Sequence, residues 1–290
     1  MDPGAGLPQG LQLVPELGDD DRVELARLVR ADPLVNAVVD SRLSALVPLV
    51  PRRFGGALIG VRDAAGRLTA AAFSGGNLLP VGGDREAWTA LAAHVAGRAR
   101  VATSIVGRAE AVEAMWAVLE PVWGPARAIR RDQRLLRLDH AVAERPADVG
   151  LRVASPDEIE RYLPAAAAMF TEELGVSPFA GAGAGGYRGR IAALLREGRA
   201  LCVTDRSGEV LFKADLGVVT PRTCQIQGVW VRPDLRGRGL GTTAMVGVLD
   251  HALQRAPTAS LYVNDFNVAA RRMYESLGMT HSATLATVLL

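Results

Sequence analysis

One stretch constrains this 290-residue chain more than any other: Val229-Trp230-Val231-Arg232-Pro233-Asp234-Leu235-Arg236-Gly237-Arg238-Gly239-Leu240-Gly241-Thr242. A strand-like apolar run ends at Val231, glycines alternate at 237, 239 and 241, and a helical pattern follows from Gly239 to Leu253. Glycines let backbone N–H groups approach an anion with no Cβ in the way. The first N–H groups of a helix lack intrahelical partners and lie at the positive end of its dipole, so they favour an anion. Arg236 and Arg238 add positive charge there. The pattern predicts a pyrophosphate cradle over Arg236, Gly237, Arg238, Gly239, Leu240, Gly241 and Thr242. The competing reading is a glycine turn that only lets a helix pack close to a strand.

The length suggests two domains of ordinary size. Residues 1 to about 18 are rich in Gly and Pro, and Asp21 to Val50 reads as one or two short helices. Ala57–Val61 and Leu68–Phe73 flank the turn signal Asp63-Ala64-Ala65-Gly66 and predict a hairpin. Then come a helix over 84–98 with Asp84 as N-cap, a strand over 101–106, a helix over 109–119 ended by Pro121, and a strand over 128–138. The polar stretch from His140 to Gly150 is the expected boundary, giving domains 1–145 and 146–290.

The second half opens with a short strand over 152–154. Pro156–Leu174 is predicted as a helix capped by Ser155, and Tyr187–Arg196 as another. Strands over 200–205, 210–219 and 224–231 precede the cradle. After the 239–253 helix come a strand over 260–263, a helix over 268–277 and a strand over 282–290. This order is α+β, with a mixed sheet. The first half shows part of the same order, which suggests a duplicated fold.

The motif Arg236-Gly237-Arg238-Gly239-Leu240-Gly241 resembles the Gln/Arg-x-x-Gly-x-Gly/Ala signature of the GNAT superfamily of N-acetyltransferases. Further on, Leu261-Tyr262-Val263-Asn264 and then Asn267-Val268-Ala269-Ala270-Arg271-Arg272-Met273-Tyr274-Glu275-Ser276-Leu277-Gly278 is similar to that family's second cofactor motif, with Met279 where an aromatic is usual. The resemblance runs from about residue 150 onward, and two motifs in order are more specific than one. It implies a GNAT fold in the C-terminal half and acetyl-CoA as co-substrate, held between the strand ending at Val231 and the strand ending at Asn264. Backbone groups of Val229, Trp230 and Val231 would pair with the pantetheine arm, and one N–H would stabilise an oxyanion. A deprotonated primary amine would attack directly, through a tetrahedral intermediate. The first half lacks the Arg-Gly-x-Gly-x-Gly pattern, so the chain resembles tandem two-domain proteins with a degenerate N-terminal GNAT-like half.

By the resemblance Tyr274 is the general acid that protonates the leaving thiolate; alternatively it is a core aromatic. Asn267 is either the N-cap of the last helix or a cofactor contact, and Asn264 shares those readings. Glu172 and Glu173, at the end of the 156–174 helix, either attract the amine and relay its proton or form a solvated helix end. The strand before Val231 offers Gln225 and Gln227 rather than a carboxylate, which leaves room for a second function class: an acyl-CoA-binding sensor without turnover.

The remaining signals exclude more than they add. Gly181-Ala182-Gly183-Ala184-Gly185-Gly186 matches Gly-x-Gly-x-x-Gly but lacks a preceding strand and a βαβ setting, so it reads as a linker or a lid, not a dinucleotide site. The net charge of +2 gives no field for nucleic acid or anionic lipid, and the arginines at 127, 130, 131, 134 and 137 read as a solvated strand face. The four histidines have no metal spacing, so no metal is expected. Cys202 and Cys224 read as small buried thiols, with a cross-strand pair as the alternative. No apolar run is long enough to span a bilayer and no signal peptide is evident, which predicts a cytoplasmic enzyme acting on a small-molecule or peptide amine. Neither the acceptor nor the oligomeric state is written in the sequence.

Overall fold

In a computed structural model of the chain, residues 10–143, 148–180 and 184–290 are described. By internal contacts the chain divides into two compact units. The first comprises Met1–Leu135, Tyr262–Val268 and His281–Leu290; the second comprises Leu136–Leu261 and Ala269–Thr280.

The first unit contains β1 (Gln12–Val14), α1 (Arg22–Ala31), α2 (Ala37–Ser44), α3 (Pro51–Phe54), β2 (Gly56–Arg62), β3 (Leu68–Gly75), β4 (Asn77–Gly82), α4 (Arg85–Ala96), β5 (Ser104–Arg108), α5 (Ala109–Trp123) and most of β6 (Ala128–Leu138). The predicted hairpin forms as β2 and β3, in register from Gly56↔Gly75 to Arg62↔Leu68. Asp63 closes its turn by accepting from the backbone of Ala65 and Arg67, both at 2.9 Å. Asp84 caps α4 as expected, accepting from Ala87 N at 3.0 Å. The sheet is covered on both faces. Leu25, Val29, Leu43, Phe54 and Phe73 fill one side; Leu91, Met115, Trp116 and Leu119 fill the other with Ile59 and Ile105.

Three expectations for this unit need correction. The stretch between the predicted hairpin and the helix from Asp84, for which no element was expected, contains β4, antiparallel to β3 from Ala70↔Gly82 to Ser74↔Leu78. Pro80 is tolerated there because β4 pairs with β5 only at Asn77↔Ser104 and Leu78↔Ile105, so position 80 has edge character. The helix α5 does not end at Pro121 but carries it into its last turn and stops at Gly124, whose φ is 81°. The short β1 lies in the Gly- and Pro-rich opening stretch, for which no element was expected, paired with β2 from Gln12↔Arg62 to Val14↔Gly60.

The second unit contains β7 (Arg152–Val153), α6 (Ile159–Leu174), α7 (Ala184–Arg196), β8 (Ala200–Thr204), β9 (Val210–Val219), β10 (Cys224–Val231), α8 (Leu240–Leu253), the start of β11 (Ala259–Asn264) and α9 (Val268–Ser276) from Ala269 on. Ser155 and Pro156 open a 3-10 turn ahead of α6, and the Ser155 N–H donates to Glu158 Oε2 at 2.7 Å. β7, β8, β9 and β10 form an antiparallel run, and β10 pairs in parallel with β11. The helices α6 and α7 cover one face through Tyr162, Leu163, Ala166, Ile191, Leu194 and Trp230. On α8, Ala244, Met245, Val248 and Leu249 are buried. The last strand, β12 (Thr280–Leu289), belongs to the first unit from His281 and pairs antiparallel with β5 from Leu285↔Arg108 to Leu289↔Ser104.

Candidate active site

The glycine turn forms where the sequence places it. After β10 the chain makes a 3-10 turn, Pro233–Leu235, and passes through Gly237 and Gly239 at φ of 71° and 85° into α8. Both are left-handed conformations, which explains glycine at both positions. A Cβ at either would meet nothing within 4 Å, so the backbone faces open space. Gly241 differs: a Cβ there would stand 3.1 Å from Val231 Cγ2 and 3.6 Å from Met273 Sδ, so it lets α8 pack on β10 and α9. The packing reading is thus met at Gly241, while Gly237 and Gly239 leave the backbone open. An open, charge-favouring helix N-terminus suits a pyrophosphate, and Leu240 and Thr242 sit in the first turn.

The strand leading in carries a β-bulge. Gln227 pairs with Asp215 and Trp230 with Lys213, so Gly228 and Val229 oppose the single residue Ala214. Registered pairing with β11 covers only Cys224↔Ala259 and Gln225↔Ser260 and does not reach the bulge. Val229 and Val231 are half-buried, whereas Trp230 is buried on the α6 side, its indole donating to Glu172 Oε1 at 3.0 Å.

The acidic residues of α6 are not equivalent. Glu172 binds Trp230, and its Oε2 accepts from Arg236 Nη2 at 2.6 Å, while Arg236 Nε donates to the Val231 carbonyl at 3.0 Å. The first arginine of the cradle is thus tied to the helix expected to border the acceptor. Arg238 is exposed, with Asp234 in its field. Glu173 acts on Tyr274: burial, and then the Glu173 charge, push the Tyr274 phenol well above its ordinary value, so it carries its proton at neutral pH. Tyr274 is 5% exposed on α9. Gln227 donates to Gln225 Oε1 at 3.0 Å and accepts from Arg190 Nη2 at 3.2 Å, so both glutamines are engaged in polar contacts. Asn264 and Asn267 count with the first unit, where Asn264 Oδ1 accepts from Gln133 Nε2 at 2.9 Å and the Asn267 N–H bonds the Asn264 carbonyl at 3.0 Å.

A buried polar cluster beside the bulge was not anticipated. Lys213 is fully buried, and its ammonium donates to Asp215 Oδ2 at 2.7 Å and to the Gly228 carbonyl at 2.9 Å. Asp215 Oδ1 accepts from the Tyr162 hydroxyl at 2.6 Å. The sequence holds one signal for it: Lys213 is the only lysine among 33 Lys and Arg.

The first unit offers a comparison. Its β4 also leads to a helix through a left-handed glycine, Gly83 at φ 89°. There a Cβ would lie 2.7 Å from Ala70 Cβ and 3.0 Å from Trp88 Nε1, and the Asp84 carboxylate occupies the helix N-terminus. That turn is filled and negatively charged. Among the described residues, no cluster of His, Cys, Asp and Glu suits a metal ion, and no helix is long and apolar enough to cross a membrane. The predicted glycine run at 181–183 lies outside the described residues, and Gly185 and Gly186 sit in α7. Cys202 and Cys224 are both buried and free rather than paired.

Solved structures with the same fold span nearly the whole chain. A GCN5-related N-acetyltransferase from Sphaerobacter thermophilus shares 19% identity with a TM-score of 0.64, covering 98% of this chain and 97% of that one. A tandem GNAT protein from the clavulanic acid biosynthesis pathway shares 17% identity with a TM-score of 0.57, over 96% and 98%. A GNAT-family acetyltransferase from Colwellia psychrerythraea shares 13% with a TM-score of 0.56, over 96% and 99%. The chain therefore has the GNAT fold. Residues 186–279 match the profile described as Acetyltransferase (GNAT) family, so the C-terminal half carries a GNAT-family domain, a class that implies acyl transfer from acyl-CoA to an amine. Residues 56–162 match the profile described as Domain of unknown function (DUF4081). No curated protein matches the chain.

Proposed function

We propose that the chain is an N-acetyltransferase that moves an acetyl group from acetyl-CoA to a primary amine, on a small molecule or a peptide, by direct attack through a tetrahedral intermediate. The observation that carries this reading is the open, left-handed Gly237–Gly239 turn at the start of α8, set directly after a bulged strand. The residues fit acetyl-CoA. Backbone N–H groups at the head of α8 and Arg238 would hold the pyrophosphate, and Arg236 would join them by leaving Glu172. The Val229–Val231 edge would pair with the pantetheine arm, and a bulge N–H would meet the thioester oxygen. Tyr274, protonated at neutral pH, would supply the proton the thiolate takes. Glu172 and Glu173 give the acceptor side its negative charge and would draw in a cationic amine.

In the same reading residues 1–145 are a GNAT-like half without a cradle and 146–290 the catalytic domain. The filled Gly83–Asp84 turn supports the first statement. Two buried free thiols suit a reducing cytoplasm.

One observation favours a second reading, an acyl-CoA sensor without turnover: Glu172 is committed to Arg236 and Trp230, and β10 offers two glutamines where a base would sit. A screen of amines for CoA release separates the two. Amine-dependent release that falls about 10²- to 10⁴-fold in Tyr274→Phe, the range for losing a general acid, is the expected result. Acetyl-CoA binding with no release across amine classes would establish the sensor.

A further inference from the structure

We infer that Lys213, held by Asp215 and Tyr162, is a positioning residue for the transfer: it sets the Gly228–Val229 peptide so that the Val229 N–H faces the gap beside β10 and meets the thioester oxygen there. The inference rests on the acetyl-transfer reading and adds a device to it.

The geometry is specific. Gly228 sits at φ 57°, and a Cβ there would stand 2.8 Å from Lys213 Nζ, 2.8 Å from Asp215 Oδ2 and 3.0 Å from Met169 Cε. The bulge is thus pressed against the cluster, and only glycine fits. The Gly228 carbonyl accepts from Lys213 Nζ at 2.9 Å. In a planar trans peptide the N–H points opposite to the C=O. The Val229 N–H is therefore directed away from Lys213, on a stretch of β10 where registered pairing with β11 has ended. A β-bulge alone leaves its peptides free to tilt; a buried ammonium on the carbonyl fixes this one.

The charge has a second effect. A cation on a carbonyl oxygen draws electron density through the amide and makes the N–H of the same peptide a stronger donor. An oxyanion forming at that N–H is stabilised accordingly. Asp215 keeps the buried ammonium compensated, and Tyr162 satisfies the other carboxylate oxygen at 2.6 Å. The Lys213 ammonium also lies 5.3 Å from the centre of the Tyr162 ring. Packing does not call for such a cluster, since a buried ion pair is commonly replaced by apolar residues without loss of stability. The residue type is informative as well. Of 33 basic residues this is the one lysine, and its ammonium is a compact point charge rather than a planar guanidinium fork.

The test uses the full chain and acetyl-CoA labelled with ¹³C at the thioester carbonyl. Difference infrared spectroscopy reads polarisation of the bound carbonyl as a downshift of its stretch, and calorimetry reads affinity. The variant is the double change Lys213→Met with Asp215→Asn, which leaves no uncompensated charge; Tyr162→Phe is a milder second variant. The expected result is acetyl-CoA affinity within about threefold of wild type, with the downshift largely lost in the double variant and reduced in Tyr162→Phe. With an amine found by the screen, kcat falls roughly tenfold or more while the KM for acetyl-CoA holds, part of the 10²–10³ seen when an oxyanion donor is removed outright. A full downshift in either variant overturns the inference, as does a loss of affinity that runs in step with a loss of thermal stability, which marks a purely structural role. Failure of the wild-type protein to bind acetyl-CoA overturns the acetyl-transfer reading and the inference with it; binding with a downshift indifferent to Lys213 overturns the inference alone.

Discussion

Placing a carboxylate in the cradle tests the functional reading at its base. Gly239 sits at φ 85°, with nothing within 4 Å of a built Cβ. Any side chain there meets no clash, and the folding cost is the left-handed backbone, about 1–2 kcal/mol. Glutamate recovers roughly 0.3–1 kcal/mol of that by lying at the positive end of α8. Gly239→Glu is therefore expected to fold. Binding is another matter. A carboxylate about 4 Å from a phosphate charge, at an effective dielectric near 20, is repelled by about 4 kcal/mol. Micromolar acetyl-CoA affinity corresponds to about −8 kcal/mol, so the variant falls to about −4 kcal/mol, in the millimolar range. Gly239→Ala carries the same backbone cost without the charge and is expected to bind within roughly tenfold of wild type, since 1.4 kcal/mol is tenfold. Titration calorimetry on the three proteins, with melting curves alongside, decides the matter. Gly239→Glu binding within threefold of wild type would refute the cradle. Equal losses in Ala and Glu would show that backbone geometry, not anion repulsion, sets the affinity.

Three further outcomes follow from buried or paired groups. Burial pushes the Cys202 thiol up to about 11 and the Cys224 thiol up to about 12; at pH 8 neither should react with a disulfide reagent in the native state, and both should react in denaturant. Glu158, bonded to Arg152 and to the Ser155 N–H, is held down to about 2 from 4.5. Its folded value lies below its unfolded one, so its contribution is complete above about pH 4.5 and is lost as pH falls toward 2; Glu158→Gln should flatten that part of an acid-unfolding curve, less so in high salt. Lys213→Met alone leaves the Asp215 carboxylate buried without its cation and should cost about 3–5 kcal/mol by urea denaturation, most of it recovered when Asp215→Asn is added.

The elements that local signals specify were legible in the sequence. β6, β9 and β10 begin and end at the predicted residues; for β9 and β10 this is because β-branched and apolar runs meet glycine, proline or polar turns. Asp84 was readable as a cap because its role needs only the three residues after it. The Gly237–Gly239 turn was readable for the same reason. What stayed hidden depends on residues distant along the chain. β4 looks like punctuation, with Pro80 and two flanking glycine pairs, until β3 pairs with it. β12 pairs with β5, a partner some 180 residues earlier. The Glu172–Arg236 pair joins positions 64 apart, and Tyr162 meets Asp215 across 53. Lys213 gave only a compositional hint, because a lone lysine in a strand carries no motif.

The two glycine-to-helix turns differ in what surrounds them, although one topology presents both. In both, a strand of an antiparallel run pairs in parallel with the next strand over just two registered residues: Asn77↔Ser104 and Leu78↔Ile105 in one unit, Cys224↔Ala259 and Gln225↔Ser260 in the other. In both, a left-handed glycine opens the helix that crosses between those strands. At Gly83 the Cβ position is taken by Ala70 and Trp88, and Asp84 supplies the anion that satisfies the helix N–H groups. At Gly239 the same position is empty, the residue before it is Arg238, and the first turn carries no acidic residue. A helix N-terminus binds an external anion only when its own sequence has not provided one. In the reading proposed above, cofactor binding by the second unit would rest on what surrounds one turn, and the topology that presents that turn recurs in the unit where Asp84 fills it from within.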